Sequence, residues 1–212
     1  MMMNNQWKKW FGYVGVILFT IHCSLFTISC SEDDSTTDEY ADWQERNEAM
    51  TDQWAANSSL RKIRVFTQDD TSTGKNCDYI YVQVLESGEG SESPLYTDTV
   101  RMAYRGRLIP TTSYVDGYVF DETYIGDFSW HTAGMSTMAI GGSSSALVTG
   151  FATALMNMHK GDHWRVYIPY QLGYNTSTSG SVRAYSNLSF DIALLDYWHP
   201  GDPHPAFRAR LR

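Results

Sequence analysis

Few of the residue types that usually carry chemistry stand where that chemistry would need them. His159 and His163 suggest a metal pair, but Gly161 lies between them at a helix end, so the one-face spacing that two imidazole ligands need is lost. His199 and His204 sit among Pro200, Pro203 and Pro205 and read as a solvated tail. Gly141-Gly142-Ser143 has the small residues of a phosphate loop but no following Gly-Lys-Ser/Thr. Neither a Gly-x-Ser-x-Gly elbow nor a His-Glu-x-x-His zinc motif is present. Cys23, Cys30 and Cys77 cannot build a disulfide framework or a cysteine-based zinc site, and Cys77, at the start of a strand, is expected as a buried or half-buried free thiol. No metal or cofactor is therefore expected. What remains is a set of rings, Tyr104, Phe120, Phe151, Tyr174 and Phe190, with Asp121 directly after Phe120. Any one ring alone reads as core, and Asp121 alone as a turn carboxylate that caps backbone amides.

The elements that must carry these residues follow from periodicity. Met138 and Ile140 alternate as in a strand, Gly141 and Gly142 stop it, and Val148, Phe151, Leu155 and Met158 then recur at helical spacing. This predicts a helix over 148–159, ended by Gly161. Trp164, Val166 and Ile168 alternate again up to Pro169. Upstream, Ile63–Phe66 reads as a short strand, and 68–76 as a polar loop. Residues 79–85 are apolar on both faces, as in a covered strand. Thr99–Leu108 and Leu188–Leu195 complete the strands, for five or six in all.

Three pieces stand out in that frame: Tyr104-x-Gly106-x-Leu108, Asp116-Gly117-x-x-Phe120-Asp121, and the order strand, short helix, Lys160-Gly161-Asp162 turn, strand and Pro169-aromatic loop. Together they closely resemble a peptidyl-prolyl isomerase of the FK506-binding-protein (FKBP) type, over about residues 79–196. The first two motifs are separated by a slightly long connection, Ile109 to Val115. The resemblance implies an α+β domain in which a bent antiparallel β-sheet wraps around a short central helix, with an N-terminal helical extension. It implies catalysis of Xaa-Pro rotation in an apolar pocket, with Tyr104 on the wall, Phe120 and Asp121 as the Phe-Asp pair, Phe151 as floor, Tyr174 in the loop after Pro169, and Phe190 in the last strand. Leu147 and Val148 match the apolar pair leading into the helix, the Val148 amide being a donor to substrate, and Val182 replaces an apolar residue at a loop tip. Substrates would be proline-containing polypeptides, and FK506-like macrolides would compete. The departures bear on rate and macrolide affinity more than on fold. Phe151 stands where the family usually has tryptophan and Ser136 where it often has phenylalanine. Two extra residues fall in 142–146, and Asn175 to Ser181 is a run of Ser, Thr and Gly.

Composition sets the setting. A chain of 212 residues with 42% hydrophobic content can bury a core, and a net charge of −8 argues against nucleic acid as a partner. Lys8 and Lys9 precede an uncharged, mostly apolar run from Trp10 to Ile28, which has the layout of a secretory signal. The run approaches the length of a membrane anchor. Against that, Thr27-Ile28-Ser29-Cys30 resembles a bacterial lipobox and Ser31-Glu32-Asp33-Asp34-Ser35 turns abruptly acidic. This implies a signal peptide over 1–29, lipid on Cys30, and an acidic tether over 30–38, placing the protein in a cell envelope at an outer membrane, where newly exported chains are the clients. Ordinary cleavage with release is the alternative. Tyr40, Trp43, Asn47, Met50 and Trp54 recur at helical spacing and predict a helix over 39–56, capped by Asp38, within an extension over 39–76. The FKBP-like domain would span 77–198 and a tail 199–212. The helix stripe could pack on its own domain or present a surface to a partner, which would make the protein a structural subunit of an envelope complex. A further alternative is a non-catalytic peptide-binding chaperone module built on the same pocket.

Overall fold

The computed structural model describes residues 38–68, 73–142 and 147–203. Cys30 and its leader, His204, and Ser143 to Ala146 lie outside them. The described elements are, in chain order, α1 (Trp43–Ala56), β1 (Arg61–Arg64), β2 (Tyr79–Glu86), β3 (Thr99–Leu108), β4 (Val119–Glu122), β5 (Ser136–Ala139), α2 (Thr149–Leu155), β6 (His163–Ile168) and β7 (Leu188–Trp198). All seven strands join one antiparallel sheet in the order β1-β2-β6-β7-β3-β4. β5 shares an edge of β3 with β4, taking Thr99–Met102 while β4 takes Arg105–Arg107. Register slips at Val84/Glu86, Arg101/Met102 and Gly106/Arg107, and such bulges bend a sheet so that it can close over a helix.

The central helix is held close because it begins with a small residue. A methyl group on Gly150 would stand 2.4 Å from Ile168 Cγ2, so only glycine lets α2 lie this near β6. Phe151, Ala154 and Leu155 then share a core with Val100, Met102, Val166, Phe190 and Ile192. The helix is shorter than periodicity predicts. Asn157 and Met158 donate to carbonyls three residues back, Ala154 and Leu155, and the Asn157 amide takes the Thr153 carbonyl, so the last turn tightens out of α-geometry. Met158 stays fully buried, which is why the apolar spacing outruns the helix.

α1 also begins later than expected. Asp42 adopts φ 52°, and Glu39 is committed elsewhere, its carboxylate accepting from the Thr111 hydroxyl and the Ser113 amide. Arg46 donates to the Glu39 and Pro110 carbonyls, so the long connection after β3 is fastened to the start of the extension. The stripe of α1 faces its own domain: Trp43, Asn47, Thr51 and Trp54 are buried, and Trp54 meets Tyr167 at 5.1 Å and Tyr81 at 6.4 Å. β1 forms two residues before the predicted strand, pairing Arg61–Arg64 with 79–82. β2 is covered only in its first half, and Val84 and Leu85 are exposed. The described residues from Glu39 onward form one compact unit.

Cys77 is a half-buried free thiol in the turn Asn76–Asp78, and burial raises its pKa. His199 is exposed, as a solvated tail residue would be, but it is tethered: its Nδ1 lies 2.9 Å from Oδ1 of Asp98, a carboxylate that is fully buried and also accepts from the Leu95 amide. The bond to Asp98 raises the imidazole pKa above its ordinary value. A raised folded-state pKa gives stability that is whole below the ordinary imidazole value and is lost as pH climbs through the raised one. Urea melts of wild type and His199→Ala, taken from about pH 5 to about pH 9, should therefore differ most at the acidic end and converge at the alkaline end. A gap that does not vary with pH would mean that the pair acts as a neutral hydrogen bond.

Candidate active site

Tyr104 lies mid-strand in β3, and its place on the edge is set by a side chain. Between β4 and β5 the chain leaves β3, and Thr123 closes that gap: its hydroxyl accepts from the Tyr104 amide at 3.0 Å, and its own amide donates to the Tyr104 carbonyl at 2.9 Å. Phe120 and Asp121 are in β4, Asp121 opposite Gly106; Phe190 is in β7, opposite the same glycine. A Cβ on Gly106 would come within 2.6 Å of both the Phe120 and Phe190 rings, so the glycine of Tyr-x-Gly is what allows the two rings to lie over the strand.

Phe190 is the hub. It packs edge-to-face on Phe151 (4.8 Å between centroids), Phe120 (5.5 Å) and Tyr104 (6.3 Å), and Tyr104 meets Phe151 at 5.8 Å. The four rings form the floor and walls of a cleft of about 140 Å³, completed by Asp121, Met138, Leu147, Val148 and Tyr174. Eight of the nine pocket residues named from the sequence thus meet in one place. Val148 stands at the N-cap of α2, its carbonyl accepting from Ala152. Tyr174 follows the turn Tyr170–Leu172.

The ninth does not line this cleft. Val182 is 2% exposed and packs in the main core, because it and Ser179 exchange backbone hydrogen bonds of 2.9 Å that fold the loop tip inward. Ser136, which stands where the family often has phenylalanine, does not line the cleft; Met138, two residues on, does, pairing with Val100 while Ser136 pairs with Met102. Sequence reasoning missed Met138 and Thr123. The alternation of Met138 with Ile140 held the signal for the first; the second acts through a backbone gap that no pattern announces.

One polar pair stands among the rings. The Tyr104 hydroxyl donates to Asp121 Oδ2 at 2.8 Å, and burial together with that bond pushes the phenol pKa well up, so the hydroxyl stays protonated. A second, larger cleft of about 360 Å³ lies between α1 and the outer face of β3 and β6. Its two cations are already engaged, since Arg165 and Arg107 both bind Asp191, at 2.6 and 3.1 Å. Burial pushes the Asp191 carboxyl up, but the bonds and charges of the two arginines outweigh it and hold the pKa below the ordinary value.

Comparison with known proteins gives the family of the chain. The chain is 32% identical over 114 residues to the macrophage infectivity potentiator of Trypanosoma cruzi, covering 53% of this chain and 50% of that protein. It is 32% identical over 114 residues to the FKBP-type peptidyl-prolyl cis-trans isomerase FkpA of Escherichia coli K12, covering 54% and 36%. With the peptidyl-prolyl cis-trans isomerase Mip of Coxiella burnetii it shares 33% over 114 residues, covering 53% and 42%. The chain thus spans half or less of the length of these relatives. Among solved structures, a peptidyl-prolyl cis-trans isomerase from Pseudomonas syringae superposes with a TM-score of 0.53 at 19% identity, covering 74% of this chain and 95% of that one, a likeness of fold. Crystalline FkpA from Escherichia coli gives 0.53 at 19% identity, covering 92% and 73%. Residues 90–195 match the family described as FKBP-type peptidyl-prolyl cis-trans isomerase, which is half of the sequence and spans every ring of the cleft. The chain belongs to that family.

Proposed function

We propose that this cleft catalyses cis-trans rotation about Xaa-Pro bonds, and that its clients are exported polypeptides in a bacterial cell envelope. The observation that carries the reading is the closed ring cluster around Phe190 with the Tyr104–Asp121 pair at its edge. Rotation faces a barrier of about 18–20 kcal/mol because the planar amide is stabilised by resonance. Resonance also makes the planar amide the more polar form, with negative charge on oxygen and positive charge on nitrogen. Moving the bond from water into a dry aromatic cleft therefore costs the planar state more than the twisted one. No nucleophile is needed. The proline ring sits on Phe190 and Phe151, the Val148 amide donates to a substrate carbonyl, and Asp121 orients polar groups beside the turning carbonyl. Only contacts that favour the twisted bond raise the rate, so the fixed Tyr104–Asp121 geometry matters more than tight binding. FK506-like macrolides would occupy the same cleft.

A second reading is favoured by one observation. Phe151 is a smaller floor than tryptophan and lacks an indole N–H, and a cleft that grips proline segments without turning them would serve as a peptide-binding chaperone module. The envelope placement rests on the residues before the domain: Cys30, after Thr27-Ile28-Ser29, would carry lipid and hold the protein at an outer membrane.

Three experiments test this reading. Asp121→Asn keeps shape and removes charge, and kcat/KM towards an Xaa-Pro peptide should fall by the equivalent of about 1–3 kcal/mol with little change in Tm. Phe151→Trp should keep or raise activity; no acceleration by wild type and no gain in the variant would leave the binding module in its place. Cys30→Ala should leave an unprocessed precursor and move the protein out of the detergent phase, and unchanged partitioning would revive the membrane anchor.

A further inference from the structure

The loop between β6 and β7 borders the cleft through Tyr174, and its tip, Asn175 to Ser181, is a run of Ser, Thr and Gly between flanks anchored by buried Tyr170, Leu172 and Val182. Besides these apolar anchors, it is held by a polar network supplied by α1. Asn47 and Asn187 are both fully buried, at 0% exposure. The Asn187 amide donates to Asn47 Oδ1 at 2.8 Å, and Asn187 Nδ2 donates to the Asn47 carbonyl at 2.6 Å and to Thr51 Oγ1 at 3.0 Å. Asn187 Oδ1 in turn accepts from the Tyr170 amide at 2.8 Å, at the other end of the loop. Asn47 Nδ2 closes the set on the Trp43 carbonyl.

Further ties come from the first half of the helix and the residues just before it. Trp43 Nε1 donates to Ser186 Oγ at 2.9 Å, the Tyr170 hydroxyl donates to Glu48 at 3.0 Å, and the Arg183 guanidinium lies 4.1 Å from the centre of the Tyr40 ring, just before α1. The loop's two ends are also joined to each other. Asn175 donates to the Tyr170 carbonyl, and Tyr185 donates to the Asn175 carbonyl while holding φ 61°. Tyr174 lies between Gly173 and Asn175, both of whose amides donate to the Tyr170 carbonyl.

We propose that α1 is a positioning element of the isomerase site: Asn47 and Asn187 set the conformation of residues 173–187 and, through it, the place of Tyr174 on the rim. The kinetic part of this inference rests on the activity proposed above; the structural part does not. A buried polar network admits one arrangement, since any other leaves donors and acceptors without partners in a dry site. Apolar packing of the helix by Trp54 alone would tolerate sliding. Asn47 and Asn187 touch no substrate and act only through the loop.

Two variants and two readouts test this. Asn47→Ala removes the acceptor of the Asn187 amide, and Ser186→Ala, a milder change, removes only the acceptor of the Trp43 indole. In the full chain, amide hydrogen exchange over 173–187 should speed up selectively by about tenfold or more in Asn47→Ala and by less in Ser186→Ala, with β3 and α2 unchanged. With an Xaa-Pro peptide, KM should rise several-fold, about three to ten, while kcat falls less, the sign of a displaced binding rim. If Asn47→Ala does not fold, Ser186→Ala carries the same two measurements. Exchange that rises uniformly, or a lower Tm with unchanged KM and unchanged exchange in the loop, overturns the proposal and leaves α1 as a stabilising helix only. A wild type without isomerase activity would defeat the proposed function, whereas the loop-selective exchange would still decide the role of α1.

Discussion

The site depends on one contact that has no polar content: Phe190 lying over Gly106. With a side chain at 106, neither Phe190 nor Phe120 could approach β3, and the rings that meet on Phe190 would have no common centre. The contact fixes more than a floor. It brings β4 and β7 to opposite edges of β3 with their phenylalanines on the same side, and so places Asp121, next to Phe120, within 2.8 Å of the Tyr104 hydroxyl. Edge-to-face aromatic packing is directional enough to keep such a cluster in one arrangement, where aliphatic side chains would permit several.

Around that hub the molecule uses two kinds of fastening. The cleft is bounded by apolar packing between α2 and the sheet, which depends on glycine at 150 for close approach. The rim is bounded by buried hydrogen bonds between α1 and the loop that carries Tyr174. Apolar packing supplies most of the stability of such a fold, and hydrogen bonds in a dry interior supply uniqueness. The tip of that loop, Asn175 to Ser181, is mostly serine, threonine and glycine and has little apolar surface to offset the entropy of ordering. Its flanks are tied by buried Leu172 and Val182, by backbone bonds within the loop and by the hydrogen bonds to α1.

Much of the fold and site was legible in the sequence, for a local reason. Tyr104-x-Gly106-x-Leu108, Phe120-Asp121 and the helix carrying Phe151 are short patterns in which the residue type answers a constraint within a few positions: alternation, a turn, a glycine under a ring. Through the family they resemble, those patterns implied the α+β class and eight of the nine residues at the cleft. Tertiary structure decided what depends on partners far along the chain. Val182 faces the core and not the cleft because of a bridge to Ser179. Met138 rather than Ser136 forms the wall because β5 pairs in one register with β3. His199 is held by an aspartate 101 positions away, and Asn47 of α1 meets Asn187 140 positions away. Spacing along a chain reports which face a residue shares with its neighbours. It carries no record of which distant donor will meet which acceptor, since that is set only when the sheet has closed.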